Sequence, residues 1–286
     1  MLKRTILFIL FAAGFYGMEA QETIPFRITK HHNIIVKTLV NKKDSLDLMF
    51  QIAMKDYSVS PERQRKADHM IFAKDGISDY NTVQIGKIIQ KDVRFYDNQL
   101  TGHEADGKIG TGIFESKIFK IDYDNNQFVM YNKMPDLKGY EPIPIILSHD
   151  GFYLAADNII DDKQQETYFV LQSGFSGALL YSNEFAEANN LDTRLKVTGQ
   201  KTLKNSEGKT LTAKQAVLPY FKLGNTVFKD VSAGFFSGEI KNQNVSYLGA
   251  DMLRRFIWIF DAERKRAYIK PSKYFSEPYY KMNENI

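Results

Sequence analysis

Two stretches of the chain repeat one pattern. Residues 109–131 read IGTGIFESKIFKIDYDNNQFVMY, and residues 248–270 read LGADMLRRFIWIFDAERKRAYIK. Each copy has an apolar residue and a glycine, a short amphipathic turn, an apolar run that ends in Asp, a charged turn and a second apolar run. The second copy follows the first by 139 residues without a gap. Such self-similarity indicates a duplicated unit, and the short apolar runs indicate strands.

Two weaker matches occur upstream in the same order. Residues 84–93 (QIGKIIQKDV) match residues 222–231 (KLGNTVFKDV) at a shift of 138. Residues 48–53 (LMFQIA) match residues 169–174 (FVLQSG) at a shift of 121. Three ordered matches predict two copies of one β-rich unit along most of the chain.

The repeat divides the chain into four parts. Residues 1–20 read as a signal peptide, residues 21–140 as a first lobe, residues 141–272 as a second lobe and residues 273–286 as a tail. The stretch 134–144, which holds three Pro and a Gly, is the natural connection between the lobes.

The remaining periodicity predicts an all-β fold. Helical patterns are confined to 182–188, which opens with a Ser cap, and to single turns at 115–117 and 252–256. Runs typical of strands are 34–40, 47–54, 82–90, 117–123, 127–131, 166–171 and 255–260.

Composition excludes several classes of protein. The chain of 286 residues is 43% hydrophobic and 13% aromatic, which suits a large β core. A net charge of +4 without a basic stripe argues against a nucleic-acid partner. The absence of cysteine excludes disulfides, thiol catalysis and Cys-ligated metals. We expect no cofactor and no metal.

The histidines show no spacing typical of a metal site. His31 and His32 are adjacent, so on a strand their side chains would point to opposite faces. His69, His103 and His149 are isolated in the sequence.

The N-terminus resembles a secretory signal. A basic pair, Lys3 and Arg4, precedes the apolar run 5–18, and Ala20–Gln21 is a plausible cleavage point. The run is shorter than the roughly 20 residues that span a bilayer. These features predict an exported protein, periplasmic or extracellular, with no membrane attachment after cleavage. A retained N-terminal anchor is the alternative.

The order of these motifs resembles the pepsin/retropepsin-like aspartic proteases in their bilobal bacterial form. Residues 106–110 (DGKIG) resemble the family's segment that packs beside the active site, and residues 246–249 (SYLG) occupy the same place in the second unit. The resemblance implies two similar lobes related by a pseudo-twofold axis. Each would be a small β-barrel or sandwich, with a cleft between them.

The resemblance also exposes a departure. The family's two lobes each supply an Asp that opens Asp-Thr/Ser-Gly. The first lobe here reads Gln51-Ile52-Ala53, and the second reads Gln172-Ser173-Gly174. Both Asp positions are therefore Gln. The 121-residue repeat predicts that Gln51 and Gln172 face each other across the lobe interface.

Three functions stay open on this reading. The first is an inactive aspartic-protease homologue whose cleft binds an extended peptide or protein segment. The second is an active peptidase with a non-standard site, for which Asp56 is the nearest acidic residue. The third is a structural or assembly protein with a closed cleft.

Other repeated residues are interpreted structurally. Asp122 and Asp261 each precede a turn, which suits Asp side-chain hydrogen bonding. The glycines that recur in both lobes indicate backbone requirements; they are Gly86, Gly110, Gly224 and Gly249. The aromatic run 274–280 is interpreted as a packing tail.

Overall fold

The computed structural model describes residues 22–102, 104–204 and 209–281. The predicted signal peptide, His103 and the last five residues of the tail lie outside these ranges. Among the described residues, no helix has the length and apolarity to cross a membrane.

Strands of the first half run up to residue 131. In chain order they are β1 (Glu22–Pro25), β2 (Arg27–Ile28), β3 (Ile34–Val40), β4 (Asp44–Phe50), β5 (Tyr57–Val59), β6 (Ile77–Ile85), β7 (Ile88–Tyr96), β8 (Gly107–Ile109), β9 (Ile118–Asp122) and β10 (Gln127–Tyr131). A 3-10 turn at Thr111–Phe114 lies between β8 and β9.

Strands of the second half follow from residue 141. They are β11 (Glu141–Pro144), β12 (Ile146–Ser148), β13 (Gly151–Ile160), β14 (Lys163–Gln172), β15 (Leu179–Leu180), β16 (Lys196–Lys204), β17 (Thr210–Leu223), β18 (Thr226–Gly238), β19 (Ser246–Gly249), β20 (Phe256–Phe260) and β21 (Arg266–Pro271). The helices are α1 (Asn183–Ala188), α2 (Leu191–Arg194) and α3 (Ala250–Leu253).

Each half closes six strands into a barrel with the same strand order. In the first barrel the neighbours are β3, β4, β8, β5, β7 and β6, and β6 pairs back to β3. In the second they are β13, β14, β19, β15, β18 and β17, and β17 pairs back to β13. The prediction of an all-β fold with two similar lobes is confirmed.

Strand register reproduces the sequence repeat residue by residue. In the first barrel Phe50 pairs with Ile109 between the parallel strands β4 and β8. In the second barrel Leu171 pairs with Leu248 between the parallel strands β14 and β19. Shifts of 121 and 139 relate these two pairs, as the sequence matches predict.

A third sheet joins the halves. Its order is β1, β10, β9, β20, β21 and β11, so each half contributes three strands. The central pairing sets Phe260 opposite Phe119 and Trp258 opposite Ile121. The rings of Phe119 and Phe260 stack at 4.6 Å between centroids, and Trp258 is fully buried. The hydrophobic core therefore continues from one half into the other.

The predicted strand at 82–90 is wrong in one respect. It is split into β6 and β7 by a two-residue turn at Gly86–Lys87. Gly86 has a φ of +60° and its counterpart Gly224 has +56°, the left-handed backbone that this type of hairpin turn needs. The recurrence of these glycines thus reflects turn geometry.

One of the three predicted helical stretches lies where it was expected. Ser182 caps α1 by accepting a 3.2 Å hydrogen bond from the Phe185 N–H. The turns predicted at 115–117 and 252–256 are displaced towards the N-terminus. They start directly after Gly110 and Gly249, because the apolar residues from Ile118 and Phe256 onward are taken up by β9 and β20.

Candidate functional site

The two glutamines lie at the same place in the two barrels. Gln51 directly follows β4, and its N–H donates a 2.9 Å hydrogen bond to the carbonyl of Ile109 on β8. Gln172 is the last residue of β14 and pairs with Gly249 at the end of β19. In each barrel the chain leaves the sheet at the glutamine. The neighbouring parallel strand, β8 in the first barrel and β19 in the second, ends beside it.

The side chains of the two glutamines meet at one backbone group. The Gly174 N–H donates to Gln51 Oε1 at 3.0 Å and to Gln172 Oε1 at 3.3 Å. An N–H can only donate, so the atoms that face it must be the amide oxygens. Both side chains are half-buried. The structure therefore brings Gln51 and Gln172 together at the junction of the lobes.

Ser173 ties the lobes together beside this pair. Its Oγ accepts a 2.9 Å hydrogen bond from the Ile52 N–H and donates a 2.6 Å bond to the Phe50 carbonyl. The corresponding residue of the first lobe, Ile52, is apolar and buried, so no reciprocal side-chain bond can form. These hydrogen bonds therefore join a side chain of the second lobe to the backbone of the first lobe, without a counterpart in the reverse direction.

Asn33 adds a contact that the sequence analysis missed. Its Nδ2 donates a 2.8 Å hydrogen bond to the Ser173 carbonyl, and the residue is buried. Asn33 has no counterpart in the repeat, so the only signal in the sequence was a polar residue at the start of an apolar strand. The turn before β3 is thereby fixed against the turn that follows Gln172.

Two repeated glycines, at the ends of β8 and β19, let the chain pass close to the turns that follow the two glutamines. A Cβ added at Gly110 would come within 2.5 Å of the Lys55 backbone. A Cβ added at Gly249 would overlap the Gly177 carbonyl oxygen. Lys55 and Gly177 belong to the turns that follow Gln51 and Gln172, so both glycines are required by close backbone approach.

Asp56 lies elsewhere in the first barrel. Its carbonyl accepts a 2.9 Å bond from the Gly110 N–H, on the side of β8 away from β4. Its side chain lines an open cleft of about 850 Å³ whose walls come from the first half alone. Neither Gln51 nor Gln172 lines that cleft.

Asp106 and the paired turn aspartates have structural partners. Asp106 is buried and accepts hydrogen bonds from the Asp47 N–H and from the N–H and guanidinium of Arg65. Burial opposes ionisation, but these bonds outweigh it and hold the pKa of Asp106 below its ordinary value. Asp122 accepts from the Asn125 N–H and Asp261 from the Lys265 N–H, so both close turns.

His31 and His32 do not have the strand geometry that would place their side chains on opposite faces. They lie in the turn between β2 and β3, not on a strand, and His32 has a φ of +66°. Both rings contact the Tyr280 ring, at 6.0 and 5.6 Å between centroids. A turn does not impose the alternation of a strand, so adjacent side chains can share one neighbour. The described residues contain no group of three or more potential ligands that could hold a metal.

Asp251 is the centre of a buried charge cluster near this turn. The carboxylate lies 3.0 Å from Arg254 Nε, 3.4 Å from Arg255 Nη2 and 3.6 Å from His32 Nδ1. It also accepts a 2.6 Å hydrogen bond from the Tyr280 N–H. Tyr274, Phe275 and Tyr279 pack against the core, which agrees with the interpretation of a packing tail.

Among solved structures, the chain is similar to the crystal structure of an aspartic proteinase from Irpex lacteus. The TM-score is 0.54, and the match covers 90% of this chain and 99% of the other at 10% identity. The fold is that of the aspartic proteinases. No family model and no curated protein matches the sequence. At 10% identity the likeness concerns the fold alone. What the site can do chemically therefore has to be derived from its own residues.

Proposed function

We propose that the chain is an exported aspartic-proteinase-like protein without peptidase activity, whose inter-lobe cleft binds an extended peptide. The proposal takes Gln51 and Gln172 as the positions where an active enzyme of this fold carries its catalytic aspartates. It is carried by one observation, the convergence of both amides on the Gly174 N–H.

The equivalence is supported by position in the barrels. Gln51 directly follows β4, which pairs in parallel with β8. Gln172 ends β14, which pairs in parallel with β19. The side chains then meet although 121 residues separate them in the chain. Ser173 and Gly174 preserve the Ser-Gly that the resemblance expects after the second position.

The chemistry of the pair supports inactivity. Two adjacent carboxylates share a proton, so one acts as base and the other as acid. A glutamine amide neither takes nor gives a proton in this range. General acid–base help contributes roughly 10²–10⁴-fold per positioned group. Loss of both groups removes the means of activating water.

Exposure at the junction supports a binding role over a closed one. Gln51, Gln172 and Gly174 are half-buried, whereas Ser173 beneath them is buried. Solvent thus reaches the amides, and so could an extended chain that pairs with neighbouring backbone by β-augmentation. A closed junction filled by the protein's own side chains would bury all four residues.

Export is proposed from the N-terminal pattern alone. Lys3 and Arg4, the apolar run 5–18 and the Ala20–Gln21 bond form the expected signal. Expression of the full chain in a bacterial host and mass spectrometry of the periplasmic product would test it. The mass of the periplasmic product should correspond to a chain that begins at Gln21. Recovery of a chain with residues 1–20 in the membrane fraction would contradict cleavage.

Peptide binding is tested with a mixture of short capped peptides. The mature chain is immobilised and the retained peptides are eluted and identified by mass spectrometry. We expect a subset to be retained and recovered intact. Retention of none would favour a structural or assembly role. Recovery of fragments, absent with Asp56→Asn but present with the exposed control Asp68→Asn, would favour the non-standard peptidase.

A further inference from the structure

The amide nitrogens of the glutamine pair have no hydrogen-bond partner among the residues that the structure describes. Both Oε1 atoms are held by the Gly174 N–H. No described residue accepts a hydrogen bond from Gln51 Nε2 or Gln172 Nε2, and neither side chain is sealed from solvent. Ser173 Oγ also lies 3.2 Å from Gln51 Oε1 and is a second donor to it. Both amide oxygens are therefore engaged inside the protein, and both NH₂ groups remain available to an acceptor from outside.

This polarity is the reverse of that of a carboxylate pair. An ionised carboxylate only accepts hydrogen bonds, whereas each NH₂ group donates two. Two neighbouring NH₂ groups can together donate to one oxygen that has two lone pairs, such as a peptide carbonyl. The amides carry no charge, so the complement is formed by hydrogen-bond direction.

We propose that Gln51 Nε2 and Gln172 Nε2 form a donor clamp for one backbone carbonyl oxygen of an extended peptide. The proposal rests on the proposed function, because it names the group of the peptide that the junction recognises. The Gly174 N–H acts as the positioning group, since it fixes both amides with their oxygens inward. The bound carbonyl is held without attack, because neither amide can take a proton from water.

Gly174 is suited to this role by its lack of a side chain. A Cβ there would come within 3.1 Å of Gln51 Nε2 and 3.4 Å of Gln172 Oε1. These distances are tighter than ordinary contacts, so a larger residue would displace the Gln51 amide. The glycine thus leaves both side chains in place beneath the ligand.

The test uses a capped peptide retained by the mature chain, measured by calorimetry. Gln51→Glu and Gln172→Glu each keep an oxygen for the Gly174 N–H but replace the donor by an acceptor. We expect each to weaken binding by about tenfold or more at neutral pH. Gln200→Glu makes the same charge change on the exposed strand β16 and should bind as the wild type does.

Acidification gives a readout that a structural role would not move. Protonation of the new glutamate, with an ordinary pKa of about 4.3, restores an O–H donor. Binding by Gln51→Glu relative to wild type should therefore recover between about pH 7 and about pH 4. A deficit that stays constant over this range would contradict the clamp.

Thioamide exchange in the peptide identifies the carbonyl. Sulfur is a weak acceptor, so one O→S exchange should weaken binding to the wild type several-fold. The same exchange should cost less in Gln51→Glu, since one of the two bonds to that carbonyl is already lost. A scan in which wild type and variant respond alike at every position would overturn the clamp while leaving peptide binding intact.

Two outcomes separate this inference from the proposed function. If no peptide is retained, both fail. If peptides bind but the variants bind equally well, the clamp alone fails. The wild-type chain labelled with ¹⁵N-glutamine covers the case of a misfolded variant. The side-chain NH₂ signals of the pair should shift when the peptide is added, and unchanged signals would contradict contact.

Discussion

Ser173 is the residue on which the junction of the lobes depends most. Its hydroxyl accepts a hydrogen bond from the Ile52 N–H and donates one to the Phe50 carbonyl. Both residues are buried and belong to the other lobe. Ser173→Ala leaves these backbone groups without partners. We expect a loss of about 1–3 kcal/mol in the free energy of unfolding, measured by urea denaturation. Ser45→Ala, on the exposed face of β4, is the control and should change it little. Equal effects of the two would contradict the tie.

Carboxylates alone should not create an efficient peptidase. Gln51→Asp with Gln172→Asp shortens both side chains by one methylene and places them on a junction that lacks Thr/Ser-Gly in the first lobe. A misplaced group loses most of its catalytic effect. We expect at most trace cleavage of a peptide mixture. Robust turnover would show that the geometry around Ile52 and Ala53 matters less than argued here.

His32 should make stability depend on pH. Burial, and then the Arg254 guanidinium, lower the pKa of His32, and Asp251 and Glu277 oppose this. Neutral His32 thus favours the folded state above its unfolded pKa of about 6.5. This contribution is lost as pH falls through the lowered folded value. Thermal midpoints of wild type should fall more steeply than those of His32→Gln below about pH 6.5. Parallel curves of thermal midpoint against pH for the two proteins would contradict this role of His32.

At the level of elements, the chain at the end of β8 passes very close to the turn that follows Gln51. Gly110→Ala places a Cβ against the Lys55 backbone, which cannot move without displacing the turn after Gln51. We expect about 1–3 kcal/mol of destabilisation in urea. Gly199→Ala is the matched control, because its Cβ would meet nothing within 4 Å. A similar loss in both variants would contradict crowding at Gly110, because Gly199→Ala adds its Cβ in open space and lowers the entropy of the unfolded chain.

The sequence predicted the strands that repeat better than those that do not. The shifts of 121 and 139 correctly predicted which residues of the two halves are equivalent, since both copies bury the same faces. The turn at Gly86 was missed because the apolar residues continue on both sides of it. The shared neighbour of His31 and His32 was not foreseen because their turn contacts Tyr280 and Asp251, which are distant in the chain. Asn33 was missed because its partner, the Ser173 carbonyl, is 140 residues away.

At the level of the whole molecule, the tail links both halves. Lys273 Nζ donates a 2.8 Å bond to the Asp124 carbonyl in the first half. Tyr280 contacts His31 through its hydroxyl and accepts from Gln215 Nε2 through its carbonyl. Between them, the guanidinium of Arg255 donates to the carbonyls of Phe275 and Glu277. The tail therefore acts as a strap across the shared sheet.

Removal of the strap should be severe. Truncation after Ser272 removes the Phe275 and Glu277 carbonyls from Arg255, which keeps Asp251 as its charged partner. Each lost hydrogen bond to a charged group costs about 1.5–3 kcal/mol. We expect a large fall in the thermal midpoint or failure to fold. Truncation after Lys281 retains all the contacts described above and is the control. Equal stability of the two truncated chains would show that the strap contributes nothing.

The proposed function depends on a junction that has the fold of a proteinase but neither an acid nor a base. The most direct test incubates the mature chain with a diverse peptide mixture from about pH 3 to about pH 8, the range over which carboxylates and histidines titrate, and reads products by mass spectrometry. We expect no cleavage at any pH, with the peptides recovered whole. Reproducible cleavage by purified wild type, lost in Asp56→Asn, would contradict it and place the catalytic group outside the glutamine pair.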